Sequence, residues 1–268
     1  MYDNKICARS SMKVVSIGAG NLSTHLSKAL QNAGFEVIQV YSRTDHSAKK
    51  LAGLLQVSYT TDIDSIVNDA SLYLISVSDD AIGYLCERLP LTGGLVVHTA
   101  GSVPMDVFSG RFDNYGVIYP LQTFSKMRPV DFQEVPLFIE ANTQGNLLAL
   151  RKVAEAVSRK VYEASSAERM KLHLAAVFGC NFANHLFHLS AQIAQQAGFE
   201  FSVLSPLILE TVHKALASGN PKEAQTGPAI RNDRKVMQKH LDLLTAHPGW
   251  QEIYAILSEN IMKVKSEE

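Results

Sequence analysis

From Lys13 onward, short β-branched runs alternate with stretches whose apolar residues recur every three or four positions, which reads as strand followed by helix. Predicted strands cover residues 13–17, 36–41, 71–77 and 94–99, with weaker ones at 116–119, 136–140 and 160–163. Predicted helices cover 21–32, 46–55, 79–88 and 147–158. Strands alternating with helices of this length predict parallel βαβ units. The expected fold class is therefore α/β, a Rossmann-type doubly wound, mainly parallel sheet covered on both faces.

Near Ala164-Ser165-Ser166 the texture changes. Residues 167–197 contain no proline and a single glycine, Gly179, and follow a helical period. Further helical stretches at 202–217, 231–245 and 250–264 are separated by Gly219-Asn220-Pro221, residues 225–228 and His247-Pro248-Gly249. A dinucleotide-type domain over 12–164 is thus followed by an all-helical domain over 165–268. Residues 1–11 are polar, lack an apolar signal core and read as a loose leader, with Met12 as an alternative start.

Composition narrows the function classes. Of 268 residues, 46% are apolar and 19% charged, a balance that supports a packed core rather than a disordered chain. Twenty-five basic against 26 acidic residues give a formal charge of -1, so the broad positive field of a nucleic-acid binder is absent. Cys7, Cys86 and Cys180 are odd in number and form no C-x-x-C pair. That argues against a disulfide framework or a thiolate zinc site and for a reducing cytoplasm. No apolar run approaches the roughly 20 residues that span a bilayer, so no membrane partner is expected.

The chemistry-bearing positions cluster at predicted strand ends. Gly18-x-Gly20-x-x-Ser23 sits between the first strand and a helix opened by Asn21 and Leu22. The first glycine permits a tight turn, and the second lets backbone approach a pyrophosphate held on the positive helix end. Ser23 departs from the usual Gly or Ala at the third position. After the second strand the chain reads Ser42-Arg43-Thr44, where an NAD site usually carries Asp or Glu. A guanidinium flanked by two hydroxyls suits a 2′-phosphate, so the expected cofactor is NADP(H). The alternative is a solvated loop arginine.

Two later loops should reach the same crevice. Val77 and Ser78 are placed beside the nicotinamide-side ribose, with Asp79 reading mainly as a helix cap. In His98-Thr99-Ala100-Gly101-Ser102, Gly101 implies close backbone approach, and His98 or Ser102 faces the reacting centre, unless His98 is a hydrogen-bonded core residue. Tyr119-Pro120-Leu121-Gln122-Thr123-Phe124-Ser125 forms either a pocket floor, with Gln122 toward substrate, or a rigid connector.

In the helical half, His173, Cys180, Asn181, Asn184 and His188 fall within about a quarter-turn at 100° per residue. Such a polar stripe on an otherwise apolar helix needs partners, a ligand or water. Histidine can move a proton near neutral pH, and asparagine can orient a carbonyl or imine; neighbouring helices satisfying the stripe is the alternative. His173, His185 and His188 have a spacing compatible with metal, but no carboxylate shares their face, and no metal is expected. Thr226 and Gly227, beside Pro228, begin a turn that leads to Arg231, a clamp for a substrate carboxylate or phosphate, with Asp233 either orienting it or starting a helix.

The stretches Gly18-Ala19-Gly20-Asn21-Leu22, Val77-Ser78-Asp79-Asp80, His98-Thr99-Ala100-Gly101-Ser102, Tyr119-Pro120-Leu121-Gln122-Thr123-Phe124 and Thr226-Gly227-Pro228-Ala229-x-Arg231-x-Asp233 resemble a bacterial family that joins a Rossmann-like NADP oxidoreductase domain to a helical C-terminal domain of unknown function. The family is similar in layout to the 6-phosphogluconate dehydrogenase superfamily, including pyrroline-5-carboxylate reductase, 3-hydroxyisobutyrate dehydrogenase and prephenate dehydrogenase. The resemblance implies a site in the cleft between domains, with His173 and Asn181 brought to the substrate, and a homodimer formed through the helical domains. Tyr119 stands where the family often has His, and Asn232 where it often has Gly. The implied activity is hydride transfer between NADP(H) and a small carbonyl or imine with an anionic end. The alternative is a non-catalytic NADP-binding regulator or scaffold.

Overall fold

A computed structural model describes residues 12–125 and 128–266; the predicted leader 1–11, with Cys7, lies outside them. The chain divides into two compact units, Met1–Asn181 and Phe182–Glu268.

The first unit is built on eight strands, β1 (Lys13–Ile17), β2 (Glu36–Tyr41), β3 (Ser58–Thr60), β4 (Leu72–Ile75), β5 (Leu95–His98), β6 (Tyr115–Pro120), β7 (Leu137–Ala141) and β8 (Val161–Glu163). They form one sheet in the order β3-β2-β1-β4-β5-β6-β7-β8. All neighbours are parallel except β6 and β7, which run antiparallel. Helices α1 (Asn21–Asn32), α2 (Asp45–Leu55), α3 (Asp79–Arg88) and α4 (Gln144–Val157) cover it.

Alternate strand residues feed two separate cores, as the two-residue pleat requires. Val14, Leu72, Leu74 and Val97 join Leu26, Leu30, Leu51, Leu55 and Val153 on one face. Val15, Ile17, Tyr73, Ile75 and Val96 join Ile82, Leu85 and Phe108 on the other. Such two-sided burial explains why these strands read as continuous apolar runs.

Three of the differences from the sequence expectation have a plain local cause. Strand β3 has three residues, largely exposed, too short and too polar to show an apolar period. Helix α4 begins at Gln144 because the Thr143 side chain accepts a hydrogen bond from the Asn146 amide, starting the helix ahead of its first apolar residue. In the second half, the helix expected from 231 begins at Arg234. Asn232 has φ 54°, a left-handed conformation that ends the preceding turn.

Helix α5 (Ser166–Ala176) passes into a π-helical segment, Val177–Phe182, and then α6 (Ala183–Gln196). Helices α7 (Ser205–Ala217), α8 (Arg234–Leu243) and α9 (Pro248–Ser266) complete the second unit. Among the described residues no helix is long and apolar enough to cross a membrane.

Candidate active site

Strand β1 lies between β2 and β4, so successive crossovers leave it in opposite directions and open a crevice at the carboxyl ends of β1 and β4. At its floor Gly18 has φ 113°, and a Cβ there would lie 2.2 Å from the Ser76 carbonyl oxygen; no side chain fits. Gly20 differs: nothing lies within 4 Å of where its Cβ would be. That open space adjoins the N-terminus of α1, which no side chain caps, and the arrangement suits a pyrophosphate.

Ser23, the departure from the glycine pattern, is fully buried and donates to the Gly18 carbonyl at 2.6 Å. Ser27 donates to Ser16, and Ser16 in turn bonds Ser23. A hydroxyl chain thus ties the glycine turn to its helix, with each buried polar group satisfied.

The cleft of about 580 Å³ is lined by Gly18, Gly20, Asn21, Leu22, Ser42, Arg43, Val77 and Ser78, together with Tyr41, Ser47 and Tyr84, which the sequence did not single out. Thr44 sits just outside, immediately before α2. Asn21 spends its side chain on the Phe124 carbonyl at 2.9 Å, docking the 119–125 segment on α1 and leaving its amide for a ligand. Shape, open glycine space and the Arg43 cation fit a dinucleotide with an added phosphate.

The second cluster lies farther along the same sheet edge. Ile75, His98 and Val117 are register partners across β4, β5 and β6. Two residues on, Val77 and Ala100 lie in the loops that follow β4 and β5, and Tyr119 is near the end of β6. Here Ser102 donates to the Asp79 carboxylate, and the Tyr119 hydroxyl lies 3.1 Å from His173 Nδ1. Burial, aided by the Asp79 charge, raises the Tyr119 phenol above its ordinary value, with Arg169 opposing. Asp79 is the first residue of α3, where its charge favours the helix dipole, but its side chain holds Ser102 rather than capping the helix.

Gly101 explains how His173 reaches this point: a Cβ on Gly101 would lie 2.7 Å from His173 Nδ1. The close backbone approach expected at Gly101 is therefore to this imidazole. Helix α5 is fixed one turn earlier. The fully buried Arg169 pairs with Glu140 on β7 and donates to the Val103 carbonyl. Glu140 also accepts from the Ser166 amide and hydroxyl, and Ser165 with Glu168 forms a capping box.

His98 belongs to the core. It is fully buried, its Nδ1 accepts from the Ala100 amide, and it lies against Phe108. Burial, reinforced by the Arg169 charge, pushes its pKa down to about 3.

The other expected residues have local surroundings of their own. Gln122 turns its carbonyl oxygen to the Thr123 amide, as a loop connector does. Asn181 is exposed in the π-helical segment. In the second unit, Thr226 and Arg231 are exposed, Gly227 has φ 108°, and Asp233 caps α8 by accepting from the Val236 amide. Tyr119 was not singled out by itself; its signals were a segment read as pocket floor or connector and its departure from the family's usual histidine.

Sheet order, glycine turn and cleft define a dinucleotide-binding protein of the Rossmann type. Residues 13–101 match the family described as NADP oxidoreductase, coenzyme F420-dependent, and residues 135–261 match the domain of unknown function DUF2520. A Bacteroides fragilis protein named for NADP oxidoreductase activity is 46% identical, with 94% of this chain and 98% of that one covered at a TM-score of 0.90. The chain belongs to this family of NADP oxidoreductases with a DUF2520 C-terminal part, and NADP is its cofactor.

More distant likenesses concern the fold. An imine reductase from Myxococcus stipitatus, solved with NADP+, is 16% identical over 95% of this chain and 93% of its own, with a TM-score of 0.66. A 1-pyrroline-5-carboxylate reductase from Streptococcus pyogenes is 12% identical over 94% and 99%, with a TM-score of 0.61. Among curated proteins no match is found.

Proposed function

We propose that the chain reduces a carbon–nitrogen or carbon–oxygen double bond of a small substrate placed beside His173. The observation that carries this is the position of His173: a part-exposed imidazole held against Gly101 at the carboxyl edge of the sheet that carries the dinucleotide cleft. The imine and pyrroline-carboxylate reductases among the structural neighbours support the substrate class.

Gly18, Gly20 and the first amides of α1 hold the diphosphate, and Arg43 with Ser42 meets the 2′-phosphate. Val77 and Ser78 border the ribose nearer the reacting centre. Bound there, NADPH supplies a hydride. The chain itself orients the substrate, limits water and has His173 supply the proton that reduction requires. The reaction belongs in the cytoplasm, in keeping with three cysteines that form no C-x-x-C pair.

A panel of cyclic imines, ketones and aldehydes, followed by loss of NADPH absorbance, tests the proposal. Turnover of at least one class is expected, falling about 10²-fold or more in His173→Ala. NADPH binding with no turnover of any member overturns it in favour of a binding protein.

A further inference from the structure

Resting on the reductase function proposed above, we propose that Tyr119 is the catalytic group that hands the proton to the substrate, with His173 resupplying it. The two side chains are 3.1 Å apart, hydroxyl to Nδ1, with their rings edge-on at a centroid distance of 6.1 Å. They come from distant parts of the chain, the end of β6 and the third turn of α5, and are joined by design of the backbone. Gly101 provides the space that lets the imidazole reach the phenol, and the Arg169–Glu140 pair fixes the helix behind it.

Tyr119 is 8% exposed and stands near the carboxyl end of β6, two strands from β4, whose following loop lines the cleft. His173 Nδ1 is already engaged by the hydroxyl. The Asp79 carboxylate on α3 and the Arg169 guanidinium on α5 act on Tyr119 in opposite senses; burial and Asp79 together keep the phenol protonated.

The proton account closes. Hydride addition places two electrons in a new carbon–hydrogen bond and leaves the substrate nitrogen or oxygen needing one proton. The Tyr119 O–H bond breaks as the N–H or O–H bond of product forms. The phenolate then takes the Nδ1 proton of protonated His173, and the neutral imidazole regains a proton from water. Oxidation of the product runs the same steps backwards. A phenolate is a stronger base than imidazole, so proton transfer from protonated His173 to it runs downhill.

Tyr119→Phe keeps the ring and removes the proton. We expect turnover to fall about 10²-fold or more, with NADPH affinity unchanged by calorimetry. The Tyr119→Phe/His173→Ala double variant should be no slower than the slower single one, as for groups acting in series. Free imidazole should restore His173→Ala and not the double variant. The pH–rate profile should change shape in Tyr119→Phe. In cofactor-free protein, nitrogen NMR should show the His173 ring-nitrogen signals shifting when the phenol is removed.

Wild-type turnover in Tyr119→Phe, with an unchanged pH profile, overturns the relay while leaving the reductase function intact. Unmoved His173 ring-nitrogen signals overturn the coupling itself. Failure of the wild-type chain to turn over any substrate, with NADPH bound, overturns the reductase function and the relay with it.

Discussion

Two single residues, Arg43 and His98, each carry a measurable consequence. Arg43 lines the cleft immediately after the second-strand turn, and no carboxylate stands beside it at Ser42 or Thr44. Arg43→Ala is expected to weaken NADPH binding by at least about tenfold, the loss of one charge-assisted contact of about 1.5–3 kcal/mol, and to leave NADH nearly unaffected; calorimetry with both nucleotides checks this. Equal losses would remove Arg43 from the 2′-phosphate. His98 gives a pH signature of a different kind. Its folded pKa of about 3 lies below the unfolded value of about 6.5, so the unfolded chain binds more protons between these limits. Stability is therefore full above about pH 6.5 and is lost as pH falls toward 3, by about 1.4 kcal/mol per unit. Between pH 7 and pH 5 the loss is about 2 kcal/mol. His98→Asn should melt with a flatter pH dependence over that interval than the wild type.

At the scale of elements, α5 brings His173 against Gly101 and the Tyr119 hydroxyl. Its first turn is held by Glu140, which accepts from Ser166 and from the fully buried Arg169. Removing one partner strands a buried charge, at a cost of about 3–5 kcal/mol. Arg169→Ala should lower stability by that amount in denaturant unfolding, whereas Arg169→Met with Glu140→Leu should recover much of it. A double variant as unstable as Arg169→Ala would show that packing, and not the stranded carboxylate, sets the loss. The elements were legible where burial imposes a strong period: β1, α1, β2 and α3 were expected with the bounds observed. They were not legible where short range prevails. A three-residue exposed strand has no pattern to show, and a threonine cap sets the start of α4. The polar stripe assigned to the helix after residue 166 assumed 100° per residue throughout. The π-helical segment Val177–Phe182 has more residues per turn, so positions beyond it rotate away from His173.

Across the whole molecule, the two units differ in how much apolar surface they hide. The sheet unit buries two continuous cores. Helix α7 in the second unit buries no residue and exposes Leu207, Leu209, Val212 and Leu216; α6 exposes Ile193 as well. A helix gains most of its stability by burying an apolar face, and a large exposed patch marks an interaction surface. We propose that a second copy covers it. The protein should sediment as a dimer, and Leu209→Glu with Val212→Glu should give monomers or insoluble chain; a wild-type monomer at micromolar concentration would defeat the proposal.

The sequence by itself determined the alternation of strand and helix, the glycine turn, the cation after the second strand and the switch to helices, because each depends on local period, backbone freedom or charge. Tertiary structure alone decided that Tyr119 meets His173, that Gly101 makes room for that meeting, and that His98 is a core residue while Asp233 is a cap. Contacts between residues tens of positions apart arise from how sheet order and helix anchoring bring them together, and no local pattern records that.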